Sequence, residues 1–335
     1  MKNKLTALTE KKNQLDSFLP HPAELISNLD EWLKVELTYT SNAIEGNTLS
    51  RQETALVIEK GLTVEGKTVR EHMEAINHAL ALDLVKTLSS KKRQNITEAD
   101  ILDIHKLILT RIDDNNAGRY RRVSVRIAGS TVIMSNPLKV PDLMKEFIDW
   151  LRSDNSDHPV TLAARAHYKL VTIHPFTDGN GRTARLLMNL LLRQSGYPMA
   201  IIRKEDRQKY ISFIEKAQLD GSIDDYLELI YEAADRSLDI YLEAAQGSLP
   251  SPAKSKLAGK LLKIGQLAKL TAETVPTLRF WTREGLLEVK DYSPGGYQLY
   301  DPSMVERVRQ IRQWQNESRL TLNEIKHKLN TPLLP

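Results

Sequence analysis

The sequence predicts a mainly α-helical chain in two parts: a helical body carrying one small β-hairpin, then a C-terminal helix-turn-helix with a hairpin wing. Three observations predict it. Glycine (15 residues) and aromatics (6%) are sparse, while leucine-rich stretches at helical spacing are long. A Gly/Ser/Pro-rich run at 247–253 reads as a linker. Charge is divided at that run. From Lys254 onward there are 14 Lys+Arg against 8 Asp+Glu, giving +6, and the residues before it hold 33 against 35, giving −2. The expected organisation is an N-terminal helical region (1–95), a central helical domain (96–246), a linker (247–259) and the basic C-terminal domain (260–335).

Near the N-terminus, Leu29, Leu33 and Leu37 recur every four residues, with Trp32 and Ile44 widening the same face, which predicts an amphipathic helix on a core. Gly46 suits the position just past its end. Glu45 then lies in the last turn, beside the negative end of the helix dipole, so a cation is expected to compensate it. Further on, Val123, Val125 and Ile127 alternate with Ser124 and Arg126. Gly129-Ser130 supplies a turn and Val132-Ile133-Met134 returns, so residues 123–134 are expected to form a hairpin. The apolar run 184–192 predicts a helix, with Gly196 as its stop signal. Another helix opens near Arg207 and contains Tyr210, Ile211, Ile214, Ala217 and Gln218.

In the tail, Ile264, Leu267 and Ala268 mark one short helix, and a second runs from about Thr274 to Gly285. Two short helices a few residues apart suggest helix-turn-helix. Gly295-Gly296-Tyr297 precedes a returning strand, and Val305, Val308, Ile311, Leu322, Ile325 and Leu329 complete an apolar set. The basic excess points to an acidic partner, with nucleic acid foremost.

Residues 174–185 read His-Pro-Phe-Thr-Asp-Gly-Asn-Gly-Arg-Thr-Ala-Arg. They place a proton-transfer group, a metal-binding carboxylate, two glycines and two arginines in one turn followed by a helix. Gly179 and Gly181 leave backbone N–H groups bare, so an anion can approach without meeting a Cβ. The helix N-terminus favours negative charge at the same place. Arg182 and Arg185 share a helix face and can reach successive phosphates. A P-loop is excluded, because no Lys-Ser/Thr pair follows Gly181. A plain helix cap would need neither the histidine nor both arginines. Together these residues describe a polyphosphate cradle with a base beside it.

That segment resembles the signature of the Fic family, His-x-Phe-x-Asp/Glu-Gly-Asn-Gly-Arg-x-x-Arg, at every defined position. The resemblance implies a compact helical domain that transfers AMP from ATP to a protein Ser, Thr or Tyr hydroxyl, the protein itself included. It implies that His174 deprotonates that hydroxyl and Asp178 holds Mg²⁺. The amides of Gly179, Asn180 and Gly181 would bind the α-phosphate, Arg182 and Arg185 the outer phosphates, and Phe176 would anchor the loop. A glycine stands where phosphate-transferring members carry lysine, which favours AMP transfer. Ser41-Asn42-Ala43-Ile44-Glu45-Gly46 is similar to the family's inhibitory motif, so Ser41 and Glu45 would belong to a brake in which Glu45 pairs with Arg185. The 123–134 hairpin resembles the flap that docks a target protein by strand addition. Gly129 and Ser130 at its turn count among the ATP-binding positions, as do Tyr210, Ile211 and Gln218 near the base and ribose, with Gln218 replacing a more usual asparagine. His72, His78, His105 and His167 are read as structural.

The tail resembles the MerR-type winged helix through Ile-Gly-x-Leu-Ala, Thr-Leu-Arg before two aromatics, Glu-Gly-Leu-Leu and Gly-Tyr-x-x-Tyr. The resemblance implies DNA contacts from Thr277, Arg279, Arg283 and Tyr297, with Phe280 and Trp281 in the core. Pro276 falls in a first helical turn, where proline is tolerated. DNA binding would call for a homodimer. With no cysteine there is no disulfide framework, and no apolar run suits a membrane span or signal sequence, so a cytoplasmic protein is expected. Two other functions fit the same residues. One is removal of AMP from a modified protein with Glu45 positioning water, and the other is a transcriptional regulator that only senses ATP.

Overall fold

A computed structural model describes residues 2–19, 23–127, 130–153, 156–246, 261–271, 273–292, 298–316 and 320–330. The chain divides into two compact units, 1–250 and 251–335. The expected linker 247–259 lies outside the described residues.

The first unit contains α1 (Lys2–Asp16), α2 (Ala23–Ile44), α3 (Arg51–Lys60), α4 (Val69–Leu88) and α5 (Glu98–Leu109). It continues with α6 (Val140–Arg152), α7 (Pro159–Ile173), α8 (Asn180–Gln194), α9 (Arg207–Asp220) and α10 (Asp224–Ala245). Three of the starts are fixed by reciprocal capping boxes: Ser50 with Glu53 for α3, Thr68 with Glu71 for α4, and Thr97 with Asp100 for α5. Helix α8 is buried nearly all round, from Arg182 to Leu192; its leucines pack in the core, and Arg182, Arg185 and Asn189 are hydrogen-bonded there. It packs chiefly on α7 and also on α4 and α5. Each fully buried leucine there contributes about 1.5–3 kcal/mol of transfer free energy. Gly196 beyond its end has φ 74°, the left-handed stop that the sequence suggested. The same core takes in Leu8, Leu33, Leu37 and Ile44, so the N-terminal helices are built into the body that holds α7 and α8.

Two readings of this unit need correction. Trp32 is 40% exposed, off the buried face that Leu29, Leu33 and Leu37 share. The 123–134 hairpin is not formed as a ladder: no strand is assigned among its described residues. An isolated two-stranded hairpin is marginal in water, and here side chains hold the segment instead. The Arg121 guanidinium donates to the carbonyls of Val123 and Ser135, at 3.1 and 2.6 Å, which pins the base of the loop. Ser130 N–H donates to the Ile127 carbonyl at 3.1 Å, and residues 128–129 between them lie outside the described residues.

The second unit holds β1 (Leu262–Lys263), α11 (Ile264–Thr271), α12 (Val275–Arg283), β2 (Asp291–Tyr292), β3 (Gln298–Tyr300), α13 (Met304–Asn316) and α14 (Leu322–Asn330). The strands form an antiparallel sheet in the order β1-β3-β2, with Leu262 opposite Tyr300 and Tyr292 opposite Gln298. Its core contains Leu262, Leu267, Leu278, Trp281, Tyr300, Ile311 and Ile325. Thr274 caps α12 by accepting Thr277 N–H, and Pro276 sits in its first turn as expected. The architecture is a helix-turn-helix with a small three-stranded sheet. Phe280, assigned to the core from sequence, is 39% exposed; it lies one residue off the α12 face that buries Leu278 and Trp281. Among the described residues no helix is long and apolar enough to cross a membrane.

Candidate active site

The loop between α7 and α8 is fixed by its own backbone geometry and hydrogen bonds. Helix α7 ends at His174 in the left-handed region (φ 51°), a conformation that costs a non-glycine residue energy. The surroundings hold it there. His174 N–H donates to the Leu170 carbonyl at 3.0 Å, while Arg121 Nε donates to the His174 carbonyl at 2.8 Å and Arg121 N–H to that of Pro175 at 2.9 Å. Gly179 precedes α8 with φ 79°. The Asn180 side chain closes the loop on itself, accepting Phe176 N–H and donating to the Phe176 carbonyl, both at 2.9 Å. Phe176 is fully buried as expected, and His105 stacks on it at 3.6 Å with the rings 5° apart.

His105 is a brace that sequence reading left without a partner. Its Nδ1 accepts Gly118 N–H at 3.0 Å, so Nε2 carries the proton and donates to the Asp178 carbonyl at 3.0 Å. Burial pushes it down to about 4, and pushes His78 and His167 down to about 3. His78 touches Thr38, and His167 lies between the hydroxyls of Tyr210 and Tyr226. All three fold as neutral imidazoles, whereas the unfolded chain takes up protons below about pH 6.5. Folded-state values below the unfolded one mean that stability is intact above that pH and falls as acid is added, down to pH 3–4. Each histidine should contribute a slope of about 1.4 kcal/mol per pH unit well below pH 6.5. Urea midpoints are expected to stay level from pH 7.5 to about 6.5 and to drop steadily from there to about pH 5, and a series flat throughout would contradict it.

His174 is arranged for proton transfer. Its Nδ1 lies 3.3 Å from the Val171 carbonyl, which can only accept, so Nδ1 carries the proton and Nε2 presents a lone pair. Burial holds its pKa below the ordinary histidine range. Asp178 stays ionised: burial opposes its charge, but Arg182, the Gly179 amide and Arg70 outweigh that and hold it below the usual carboxylate range.

The opening turn of α8 offers amides with no intrahelical partner. Beside them, Arg182 is only 2% exposed, and its Nε has no hydrogen-bond partner among the described residues. Its Nη2 donates to Asp178 at 3.2 Å, and Nη1 is 3.4 Å from Glu74. Arg185 is 5% exposed and fully engaged. It donates to Ser41 Oγ and the Ser41 carbonyl, each at 2.9 Å, to the Tyr210 hydroxyl at 3.4 Å and to Glu45 Oε1 at 2.7 Å. The cation expected near Glu45 is therefore Arg185. A Cβ on Gly181 would lie 2.5 Å from Glu45 Oε1, so the carboxylate rests directly on the bare start of α8. The end of α2 is tied down around it: Arg207 Nε donates to the Ile44 carbonyl at 2.6 Å, and Asn47 Nδ2 to Glu74 at 2.9 Å.

The remaining site residues fall at the periphery. Ser130 Oγ donates to Glu215 on α9 at 2.7 Å. Gln218 Nε2 donates to Thr172 at 3.2 Å, and Ile211 is 39% exposed. Tyr210 departs from expectation. It is 3% exposed with its hydroxyl taken by His167 and Arg185, so it supports Arg185 and has little surface to offer a base. In the second unit Arg279 and Arg283 are exposed on α12, with Thr277 half-buried near its start. Gly129 and Tyr297 lie outside the described residues.

Comparison with solved structures identifies the fold. A Fic-1 fragment from C. elegans is 33% identical, with a TM-score of 0.67, over 74% of this chain and 73% of that one. The chain belongs to the Fic/DOC family. The Fic/DOC model itself matches residues 95–192. A Fic domain containing signaling protein from Bacteroides thetaiotaomicron is 30% identical, with a TM-score of 0.67, over 75% of this chain and 99% of that one. By sequence, the Fic chain resembles the protein adenylyltransferase Fic of Drosophila virilis, at 39% identity over 245 residues. That match covers 72% of this chain and 49% of the relative, so the chain spans about half the length of the curated relatives it matches. Residues 262–331 match the MerR HTH family regulatory protein model.

Proposed function

We propose that this Fic protein is a protein adenylyltransferase, moving AMP from ATP to a Ser, Thr or Tyr hydroxyl of a protein and held back by Glu45. The observation that carries the reading is the carboxylate seated against Gly181 and Arg185, an anion already in the place the triphosphate would take. The relatives' name as protein adenylyltransferases supports it.

In this mechanism the amides at the start of α8 hold the α-phosphate, and Arg182 and Arg185 hold the outer phosphates. The target hydroxyl oxygen attacks the α-phosphorus while the bond to the α,β-bridging oxygen breaks. The hydroxyl proton passes to His174 Nε2, and diphosphate leaves. Asp178 fits Mg²⁺ as a single ionised, half-exposed carboxylate beside the phosphate seat, since Mg²⁺ takes one or two carboxylates together with substrate phosphates. Among the described residues no cluster of three acidic or histidine groups offers another site. The ion would neutralise phosphate charge. Ile211, Gln218 and Ser130 are proposed to border the base and ribose. The 123–134 segment, with Val123 59% and Ile133 87% exposed, would receive the target protein. Incubation with labelled ATP and Mg²⁺, comparing Glu45→Gly with Glu45→Gly/His174→Ala, tests the reading. Label in the first and none in the second is expected.

A second property rests on a separate observation. The MerR-type match and the exposed Arg279 and Arg283 on α12 support DNA binding by the C-terminal unit, and a homodimer would set its half-sites. With about five phosphate contacts, log K against log salt should slope near −4 to −5, and salt-independent binding would refute it.

A further inference from the structure

Across the loop from Glu45, a second ion pair occupies the other acid of the motif. Arg70, in the first turn of α4, donates through Nη2 to Asp178 Oδ2 at 2.8 Å and through Nε to Glu74 Oε1 at 3.3 Å. Glu74 lies 3.4 Å from Arg182 Nη1, and Arg182 donates to Asp178 Oδ1 at 3.2 Å. Arg70, Glu74, Arg182 and Asp178 thus close a ring of two cations and two anions with no net charge.

The two oxygens of Asp178 are used differently. Oδ1 accepts the Gly179 amide at 2.6 Å and Arg182, both fixed by the loop itself. Oδ2 faces Arg70. A cation in the first turn of a helix sits at the positive end of the dipole, an unfavourable place that this pairing offsets. The mobility of the two arginines differs as well. The Arg182 side chain is 3% exposed and cannot leave, whereas that of Arg70 is 59% exposed on a flexible stem.

We infer that Arg70 is a built-in counter-cation for Asp178, which a divalent metal must displace to bind, so that Arg70 is a positioning residue setting the metal requirement of nucleotide binding. This rests on the reading of Asp178 as the metal-holding carboxylate. A dication arriving at Oδ2 would stand within a few ångströms of the guanidinium, and the repulsion is relieved when Arg70 swings to solvent. Arg70 then keeps the site charge-balanced when no metal is present and opposes occupation by weak or dilute cations. The competing pair is half-exposed, so the effect is bounded by the upper range of exposed ion pairs, about threefold to fivefold.

The test uses the full chain with Glu45→Gly, and an ATP analogue whose α,β-bridging oxygen is a methylene. Calorimetry measures its affinity with Mn²⁺ and with excess chelator, and the ratio is the metal's contribution. Adding Arg70→Ala is expected to raise that ratio about threefold to fivefold, with Arg70→Lys in between. Adding Asp178→Ala should reduce the ratio to near one. An unchanged or smaller ratio in Arg70→Ala, with Asp178→Ala behaving as expected, overturns the inference alone. A ratio insensitive to Asp178→Ala overturns the metal reading of Asp178 and this inference with it.

Discussion

Replacing Glu45 by glycine is expected to raise AMP incorporation from labelled ATP by at least about tenfold. The size follows from where the pair sits. A solvent-exposed ion pair is worth about 0.2–1 kcal/mol and could hardly restrain a nucleotide. The Arg185 side chain is 6% exposed and that of Glu45 36%, so the pair is shielded on the arginine side only and lies between that exposed case and a fully buried pair at about 3–5 kcal/mol. Each 1.4 kcal/mol is a factor of ten.

The substitution should also be clean. Helix α2 ends at Ile44, so glycine at 45 interrupts no helical turn. Arg185 keeps its bonds to Ser41 and Tyr210 and stays aimed at the seat that the carboxylate leaves. Glu45→Gln, which retains a hydrogen-bond acceptor but no charge, is expected to release only part of the activity. The measurement is label per mole of protein under initial-rate conditions, with ATP affinity followed in parallel. Equal labelling of wild type and Glu45→Gly would count against a brake at this position.

The parts of this molecule legible in sequence are those encoded within a few residues. The loop at 174–185, the helix behind it and the stop at Gly196 depend on local spacing, and they stand as read. The helix-turn-helix and its small sheet likewise follow from short apolar sets and turn glycines. What the sequence did not reveal depends on distant segments meeting. Arg70 is 108 residues from Asp178, and only the packing of α4 beside the loop makes them partners. Arg119, Arg121 and Arg122 look alike in the chain, yet Arg121 is the 2%-exposed one that fastens both His174 and the 123–134 segment. His105 reads as one more helical histidine until its two nitrogens are seen spanning Gly118 and Asp178. The alternation over 123–127 predicted paired strands, and no strand is assigned there. It could not show that the arms would be held by an arginine and a glutamate rather than by each other.

Within the Glu45→Gly chain, His174→Ala is expected to lower the transfer rate by about 100- to 10,000-fold, the range for losing a positioned general base. Nucleotide affinity should change little, because in the proposed mechanism the imidazole serves the target hydroxyl and contributes no donor to the phosphates. That split separates a catalytic role from a structural one: a collapsed loop would lose binding along with rate. The pH dependence gives a further check with a definite sign. Burial holds the His174 pKa below the ordinary histidine value, so the base remains deprotonated through neutrality and into mild acid. The Glu45→Gly rate should therefore stay level as pH is lowered to about 6.5, the unperturbed value, and fall only below it, where protonation consumes the lone pair on Nε2. A rate already halved at neutral pH would mean that the imidazole is not shielded as described. A His174→Ala variant with undiminished transfer would remove the base from the mechanism altogether, leaving the arginines and the helix start as a nucleotide-binding site without a catalyst.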